Sequence, residues 1–559
     1  MRIFFFLSIL FFSVQVQAQE DPDLPSEQVE VIKIFEAQLT DSEKVPLSPE
    51  LPEVKTEVKE QQYEVPSRTF NLDYPAPRIR PISYKSEEEI PDIYNAYAKL
   101  GAGLPQSIYG EGAYHTTIKR SSTESYDLGL NLLHHSADFS SGDVENQSFG
   151  FTKAEGVGTY YFDQGFAVGA NMGFTSDRVQ YYGYNYDDFY EGPEPSKESV
   201  KQLYSIFDLG AKIFNGEQTS GDLNYSAGFD YYNLGDNFAT SENGFDLKLN
   251  ATKWIQEKHS FDLGIRTDFT WFSDTMELNQ TLHNYTVAPS FTYHADMFKV
   301  KLGGKIISND DEFELFPDIE AVLNLTGNEL AVYAGVEGGY KKNSFRNLTD
   351  QNPYLHPRLQ SNDIRNTSYF NVYGGVRGNL KIFEYNAQIG YKPTNDLAMF
   401  LLRDEVFFRD NPIYDFNIIY DDVDVINISG SISANPFKGL QVIGTLSQNF
   451  YDPKVQEKPW HLVGTEINFQ AIYTDAEGKF KGTAQLFLQD GVWTTTDFIP
   501  GRFEELNTLY DLSLEGEYWF AKNFGAFLQL NNLLDNTRFR WYYYPTFGIN
   551  VLGGITVRF

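Results

Sequence analysis

The sequence predicts an all-β fold: a transmembrane, antiparallel, up-and-down β-barrel of about 22 strands behind a disordered or extended N-terminal periplasmic segment. Three observations predict it. Long segments alternate between apolar and polar or small residues, the connections between them sort by length into two groups, and the last alternating segment stops at the terminal residue Phe559. Aromatic residues make up 16% of the chain, which suits two girdles of rings at the membrane surfaces.

Residues 1–18 are predicted to be a secretory signal peptide. Arg2 supplies the positive charge, residues 3–14 form an apolar core, and Ala18 ends a small-residue cleavage motif. The apolar core is shorter than the roughly 20 residues that a membrane-spanning helix needs. We therefore expect a removable leader rather than a membrane anchor.

Residues 19–91 are predicted to be an acidic, proline-rich periplasmic segment that is mostly disordered. Ten of the chain's 24 prolines lie there, Asp and Glu outnumber Lys and Arg, and the apolar residues recur with no period. Such a composition buries too little apolar surface to offset the entropy that ordering costs.

Residues 92–559 are predicted to form the barrel. In one segment Phe261, Leu263 and Ile265 alternate with Asp262 and Arg266, so one face of the strand is apolar and the other is charged. In a soluble sandwich such apolar faces must meet each other in a core. The chain has too many of these segments in succession, without helical segments to cover them. We therefore expect the apolar faces to contact lipid.

The connections between strands sort by length when the strands alternate in direction. Short turns face the periplasm and long loops face the exterior in bacterial barrels. An even number of strands then places both chain termini in the periplasm. Counted back from the C-terminus, the short turns are 520–523, 475–478, 435–439, 379–381, 326–328, 295–296, 257–258 and 162–165, and the long loops are 536–546, 490–504, 451–462, 342–367 and 184–199.

The C-terminal segment 547–559, FGINVLGGITVRF, alternates in the same way and ends on an aromatic residue. Outer-membrane barrel chains usually end in such a strand. We predict that Gly554, Val557 and Phe559 form the membrane-insertion signal and that the protein resides in the cell outer membrane. The expected partners are outer-membrane lipid, the barrel assembly machinery during insertion, and a periplasmic or surface envelope protein.

Composition argues against several other classes of function. The formal net charge of −33 argues against nucleic acid as a partner, because phosphate binding needs an excess of Lys and Arg. The sequence has no cysteine, which excludes disulfides, thiolate metal sites and Cys nucleophiles. His134, His135 and Ser136 have the residue types of nucleophilic catalysis, but neighbours on a strand face opposite sides. We expect no enzyme activity, no cofactor and no metal site.

Charged residues on the polar faces of the strands are the candidate functional residues. Charged side chains on a pore wall set its permeability and its preference for ions. They can equally pair across strands and stabilise the wall, and the sequence leaves both roles open. The candidates are Asp262, Arg266, Asp268, Lys299, Lys301, Lys305, Arg377, Glu466, Lys481, Glu515, Glu517 and Arg558.

Parts of the C-terminal half resemble a known family. The segments are 386–422 and the C-terminal part, in which NNLLD (531–535) is followed by Tyr544-Pro545, Gly553-Gly554 and Phe559. They resemble the TonB-dependent receptor barrels of Bacteroidota-type bacteria, and the resemblance extends over residues 94–559. It implies a barrel of the family's size and a part in outer-membrane uptake.

The chain departs from that family at its N-terminus. TonB-dependent receptors carry a plug domain that folds inside the lumen, whereas residues 19–91 are too few, too rich in proline and without plug-like Arg-Gly and Val-Asp-Gly segments. Residues 27–31 resemble a TonB box only loosely. We therefore expect a receptor-like barrel without a plug that acts as a channel or uptake component. The alternative is a non-conducting scaffold that binds other envelope proteins through its acidic tail and loops.

Overall fold

A computed structural model describes the barrel part of the chain. The described residues belong to one compact unit, Glu89–Phe559. The predicted signal peptide (1–18) and the predicted acidic segment (19–91) lie outside the described residues. The structure describes residues 94–559 except 122–123, 141–143, 189, 217–218, 220, 275–278, 310–311, 360–362, 404–410 and 496–501.

Long strands joined by hairpins make up the first half of the sheet. They form where apolar, aromatic and β-branched residues alternate with polar ones, and they end at Gly-, Asn- and Asp-containing turns. These strands are β1 (Ala96–Leu104), β2 (Ser107–Lys119), β3 (Ser125–Asp138), β4 (Ser148–Tyr161), β5 (Phe166–Gln180), β6 (Lys201–Asn215), β7 (Leu223–Asp236), β8 (Ser241–Ile255), β9 (His259–Ser273), β10 (Asn279–His294), β11 (Phe298–Asn309), β12 (Glu312–Thr326) and β13 (Leu330–Asn343).

The second half continues the same sheet and adds small elements within its loops. The connections contain a 3-10 turn (Gly183–Tyr186), helix α1 (Phe345–Gln351) and two short hairpins, one formed by Trp493–Thr495 with Phe503–Glu505 and one by Phe539–Trp541 with Tyr544–Pro545. No helix in the described part of the chain is long and apolar enough to cross a bilayer. The strands are β14 (Arg365–Leu380), β15 (Phe383–Leu402), β16 (Phe416–Phe437), β17 (Leu440–Pro453), β18 (Thr465–Thr474), β19 (Phe480–Asp490), β20 (Trp493–Thr495), β21 (Phe503–Glu505), β22 (Leu509–Trp519), β23 (Phe524–Asn531), β24 (Phe539–Trp541), β25 (Tyr544–Pro545) and β26 (Asn550–Arg558).

The large sheet closes on itself. It contains 22 antiparallel strands, and β1 pairs with β2 on one side and with the last strand, β26, on the other. Each remaining barrel strand pairs with the strands before and after it in the ring. Closure suits a membrane, because an unpaired backbone N–H or C=O group in lipid costs several kcal/mol. The predicted antiparallel barrel of about 22 strands is confirmed.

The two faces of the sheet differ in chemistry. Paired residues on neighbouring strands share a face, and successive residues alternate between faces. The outer face carries exposed apolar side chains such as Leu100 on β1 and Leu514 on β22. The inner face carries polar groups such as Arg266, which donates to Asp246 on the neighbouring strand. The alternation seen in the sequence therefore separates an apolar exterior from a polar lumen.

The connections sort by length as predicted. At one end of the barrel, here called the turn end, the connections are short, as at 162–165, 256–258 and 520–523. The opposite end, here called the loop end, has the long connections 181–200, 344–364, 403–415, 491–508 and 532–549. The described chain begins and finishes at the turn end, where the Asn95 amide donates to the Phe559 carbonyl at 2.7 Å.

Two inner-face positions at the junction between the first and last strands have no room for a side chain. A Cβ atom on Gly554 would lie 2.0 Å from the Leu100 carbonyl oxygen, and one on Gly103 would lie 2.1 Å from the Val551 carbonyl oxygen. Real Cβ atoms essentially never come so close to another heavy atom. Gly554 therefore has a structural reason to be glycine, in addition to its predicted place in the insertion signal.

Adding a methyl group at Gly554 should weaken barrel closure. We expect Gly554→Ala to destabilise the folded barrel by about 1–3 kcal/mol, the usual cost of overpacking, in urea unfolding from lipid vesicles. Gly553→Ala is the matched control, because its Cβ would meet other atoms only at 3.6 Å and beyond. Equal stability of the two variants would contradict the crowding at the junction.

A charge on the outer face should be costly, while the same charge one residue along should not. Leu514 lies at the middle of β22 and is 39% exposed on the outer face. We expect Leu514→Arg to destabilise the barrel by ~2–4 kcal/mol, as Arg does at the bilayer midplane. Ser513→Arg, on the inner face beside Asp511, should change the free energy of unfolding far less. The opposite ranking would show that the faces are assigned the wrong way round.

Candidate functional site: the loop cap and the lumen wall

The long connections at the loop end pack together around an aromatic core. We call this assembly the loop cap; it comprises the described residues of the connections 181–200, 344–364, 403–415 and 532–549, together with 454–464. Tyr354 and Tyr544 stack with ring centroids 3.6 Å apart, and both are buried. Other buried members of the core are Tyr181, Tyr182, Phe345, Leu348, Leu355, Tyr414, Phe416 and Trp541.

Hydrogen bonds between tyrosines and backbone tie these loops to one another. The Tyr182 hydroxyl donates to the Pro545 carbonyl at 2.8 Å, and the Tyr544 hydroxyl donates to the Tyr414 carbonyl at 2.6 Å. The Tyr414 hydroxyl donates to Asp187 Oδ2 at 2.7 Å. Buried hydroxyl groups need such partners, because leaving them unsatisfied costs about 1–3 kcal/mol each. Three loops from distant parts of the sequence therefore hold a single arrangement.

The connection 344–364 leaves β13 and reaches the wall formed by β6–β9. Ser344 caps α1 by accepting a hydrogen bond from the Asn347 amide. The Glu242 carboxylate of β8 is 0% exposed and accepts hydrogen bonds from the amides of Phe345 at 2.6 Å and Arg346 at 3.1 Å. A carboxylate at the start of a helix also interacts favourably with the partial positive charge there. Glu242 therefore holds the first turn of α1 against the wall.

Two ion pairs reinforce this attachment. Arg346 donates to Asp208 on β6 at 2.7 Å, and its guanidinium lies 4.5 Å from the centroid of the Tyr232 ring. Lys342, at the end of β13, pairs with Asp268 on β9. We call Lys342, Phe345 and Arg346 with their partners Asp208, Glu242 and Asp268 the wall anchor. It joins strands that lie several positions apart in the ring, so the connection 344–364 spans part of the barrel mouth.

A buried carboxylate joins the connections 344–364 and 403–415. The side chain of Asp415 is 1% exposed and lies 2.6 Å from both the Arg403 Nε and the His356 Nδ1 atoms. The pair with Arg403 lies within the connection 403–415, and the contact with His356 reaches the connection 344–364. Because a buried charge is costly unless it is paired and hydrogen-bonded, this contact favours the closed arrangement of both loops.

His461 is a titratable group enclosed within the cap. Its Nδ1 lies 2.8 Å from the Phe400 carbonyl, and its ring stacks on Trp541 with centroids 5.3 Å apart. Burial lowers the pKa of His461 to about 3 from its ordinary value near 6.5. The imidazole is therefore neutral at physiological pH, with the proton on Nδ1 donated to the carbonyl.

Acid should loosen the cap through His461. When the cap opens, the exposed His461 imidazole binds a proton below about pH 6.5, whereas the buried imidazole does not. Burial of neutral His461 therefore stabilises the cap fully above that pH, and this stabilisation falls as the pH drops toward 3. At pH 5 the loss is about 2 kcal/mol. Hydrogen-exchange protection of residues 454–464 and 539–545 should decrease between pH 7.5 and pH 5, after correction for intrinsic rates. In the control His461→Gln this pH dependence should disappear; an unchanged pH response would assign the effect to other groups.

The sequence-predicted charged residues lie on the inner face, but they do not form one cluster. Asp268 belongs to the wall anchor, and Arg266 donates to both oxygens of Asp246 at 2.8 and 2.7 Å. Lys301 pairs with Asp318 at 2.6 Å, and Glu515 pairs with Lys99 at 2.5 Å. Several of these residues thus pair across strands, which is the structural role the sequence left open. Their part in solute passage stays a prediction.

The remaining candidates contact rings, amides or the backbone. Arg377 lies over the Tyr333 ring, and Arg558 lies 4.0 Å from the centroid of the Trp519 ring. The other contacts and positions are Asp262 with Thr252 and Ser260, Lys305 with the Gly338 carbonyl, Glu466 with Gln489 and Asn468, Lys299 opposite Val322, and Lys481 opposite Glu517.

The loop cap and the wall anchor were not predicted from the sequence. A signal was present in the aromatic runs YYGYNYDDFY (181–190) and RWYYYP (540–545), which lie in connections and carry no strand-like alternation. Rings in exposed loops are unusual unless they pack together. The partners Asp208 and Glu242 had no comparable signal, because many acidic residues occupy polar strand positions. Within the described residues, no group of three or more His, Asp or Glu is arranged to hold a metal ion.

Comparison with known proteins adds fold information. A scan against protein-family models and a search of curated protein sequences both find no match. Among solved structures, the complex of FpvAI with pyocin S2 matches with a TM-score of 0.62 at 12% identity, covering 83% of this chain and 70% of the other. The pyoverdine-bound outer-membrane receptor FpvA of Pseudomonas aeruginosa gives 0.61 at 12% identity, covering 83% and 78%.

The copper transporter OprC gives a TM-score of 0.59 at 13% identity, covering 84% of this chain and 82% of OprC. At such low identities the likeness concerns the fold alone. Together with the closed ring of 22 strands, it shows that this chain folds like the barrels of TonB-dependent outer-membrane receptors.

Proposed function

We propose that the protein is an outer-membrane uptake barrel whose passage is controlled by its own loop cap. The observation that carries this proposal is the wall anchor, which fixes the connection 344–364 across the mouth by Glu242 and two ion pairs. A scaffold needs only an exposed binding surface. A buried carboxylate and paired charges holding a loop over a polar lumen suit a closed state that can open.

The lumen below the cap suits aqueous passage. Inner-face side chains away from the loop end, such as Asn131, Asp230 and Thr445, are exposed in the described part of the chain. Polar and charged walls of this kind fit a water-filled interior, whereas an apolar filling would fit a packed core. In this proposal the polar groups of the lumen wall set the preference among solutes, and the cap determines when the lumen is accessible.

The proposal includes the orientation of the chain. The turn end, with both chain termini, faces the periplasm and the loop cap faces the exterior, as the sorting of connection lengths favours. Residues 19–91 act in the periplasm as an acidic segment without the plug of TonB-dependent receptors. Passage is then passive, and the cap takes the place of the plug as the barrier. The C-terminal strand carries the signal for the assembly machinery.

Removing the wall anchor should open the barrel. We expect the full-length protein in planar lipid bilayers to be mostly closed, and the double variant Lys342→Ala/Arg346→Ala to conduct for a much larger fraction of time. Both substitutions remove ion pairs with the wall formed by β6–β9. Arg358→Ala is the matched control, because it removes an exposed arginine of the same connection.

Two outcomes contradict the proposal. If Arg358→Ala opens the barrel as much as the double variant does, the wall anchor is not the closing contact. If all three proteins are folded, as shown by their resistance to unfolding in detergent at room temperature, and none conducts, the scaffold alternative is the better account.

A further inference from the structure

The inner wall of β16–β19 lacks ionisable side chains between its ends. Glu466 lies toward the loop end of this wall and Lys481 toward the turn end. Between them the inner positions carry hydroxyl and amide groups, with a few apolar residues. The polar residues at these inner positions include Ser429, Ser431, Thr445, Ser447, Gln470 and Gln485.

These groups lie side by side across four strands. Ser429 is opposite Ser447, Ser431 is opposite Thr445, and Gln470 is opposite Gln485 in the strand registers. Opposed residues share a face of the sheet and lie within about 5.5 Å of each other at Cβ. We call this surface the neutral wall. It is a patch of uncharged hydrogen-bonding groups, each of which can both donate and accept; Ile443 interrupts it opposite Gln470, and Glu466 borders it opposite Ser447.

The wall half-way around the ring of 22 strands has the opposite character. On β7 and β8, Lys248 lies between Asp230 at 2.8 Å and Asp246 at 3.0 Å, and Arg266 of β9 also pairs with Asp246. Charges in such a network are already compensated by their neighbours, so they offer a solute few unsatisfied partners. The lumen therefore has one wall of paired charges and one neutral wall.

Side chains of the neutral wall are open to a partner. Ser431, Thr445 and Gln485 are exposed to the lumen, and none of the hydrogen bonds among the described residues uses their side chains. An uncharged polar solute can exchange its hydrogen bonds to water for bonds to these groups at little cost. A charged solute has to give up much stronger hydration without gaining a counter-charge there.

We infer that the neutral wall is the solute-binding track of the lumen and that it selects uncharged solutes rich in hydroxyl or amide groups. The inference rests on the proposed uptake function and adds a substrate class to it. Hydroxyl-rich and amide-rich solutes share the same donor and acceptor chemistry. The experiment distinguishes them by using a neutral disaccharide and a neutral peptide with blocked ends.

The test uses the full-length double variant Lys342→Ala/Arg346→Ala reconstituted in liposomes. Swelling rates are measured for the neutral disaccharide, the blocked peptide, a carboxylated disaccharide and an amino disaccharide of similar size. We expect at least one neutral solute to enter several-fold faster than both charged ones. The faster of the two neutral solutes shows whether the lumen favours hydroxyl-rich or amide-rich solutes. Equal rates for neutral and charged solutes would overturn the inference, while ion conductance would still support the proposed function.

Charge introduced on the neutral wall should remove the selectivity. In the same background, Ser431→Asp/Thr445→Asp should reduce entry of the favoured neutral solute several-fold. Ser226→Asp, on the inner face of β7 among the paired charges, should leave its entry rate nearly unchanged. An equal reduction by both changes would overturn the assignment of the track to β16–β19. Heat-dependent gel migration of each variant shows that the barrel is folded, and absence of both swelling and conductance in folded protein would overturn the proposed function and this inference with it.

Discussion

Backbone hydrogen bonds between β1 and β26 close the sheet, and the lumen, the cap and the separation of two faces all exist because of that closure. An open sheet of this length would present two unpaired strand edges to lipid, where each unsatisfied backbone group costs several kcal/mol. Gly103 and Gly554 leave room at this junction for the Val551 and Leu100 carbonyl groups. The connection 532–549 then reaches residues near the N-terminal strands, where the Phe547 ring stacks with the rings of Phe139 and Phe149.

The barrel could be predicted from the sequence because its information is local. The alternation of Leu263 and Ile265 with Arg266 indicates which face of the strand contacts lipid. The length of a connection indicates at which end of the barrel it lies. The number of strands follows from counting the alternating segments between the connections. The positions of paired charges such as Arg266 and Asp246 follow from the registers, but the sequence alone could not choose between pairing and contact with solute.

The cap could not be predicted because its contacts join segments far apart in the chain. Tyr182 meets Pro545, and Glu242 meets Phe345, across connections that follow no period. Nothing in the local pattern distinguishes Glu242 from other acidic residues on polar strand positions. Such contacts are fixed by the circumference of the barrel and by the direction in which each loop leaves its strand.

The ion pair between Lys99 and Glu515 is also a consequence of closure. These residues lie on β1 and β22, which are separated by β23 and β26 around the ring but by most of the chain in sequence. Before the first and last strands meet, the two charges sit near opposite borders of an unfinished sheet and cannot neutralise each other. Lys99 is almost wholly enclosed in the finished barrel, with its ammonium group 4.3 Å from the centroid of the Phe527 ring. In an incomplete barrel the Lys99 ammonium group is therefore accessible to water or to an acidic protein. Closure of the barrel buries this group.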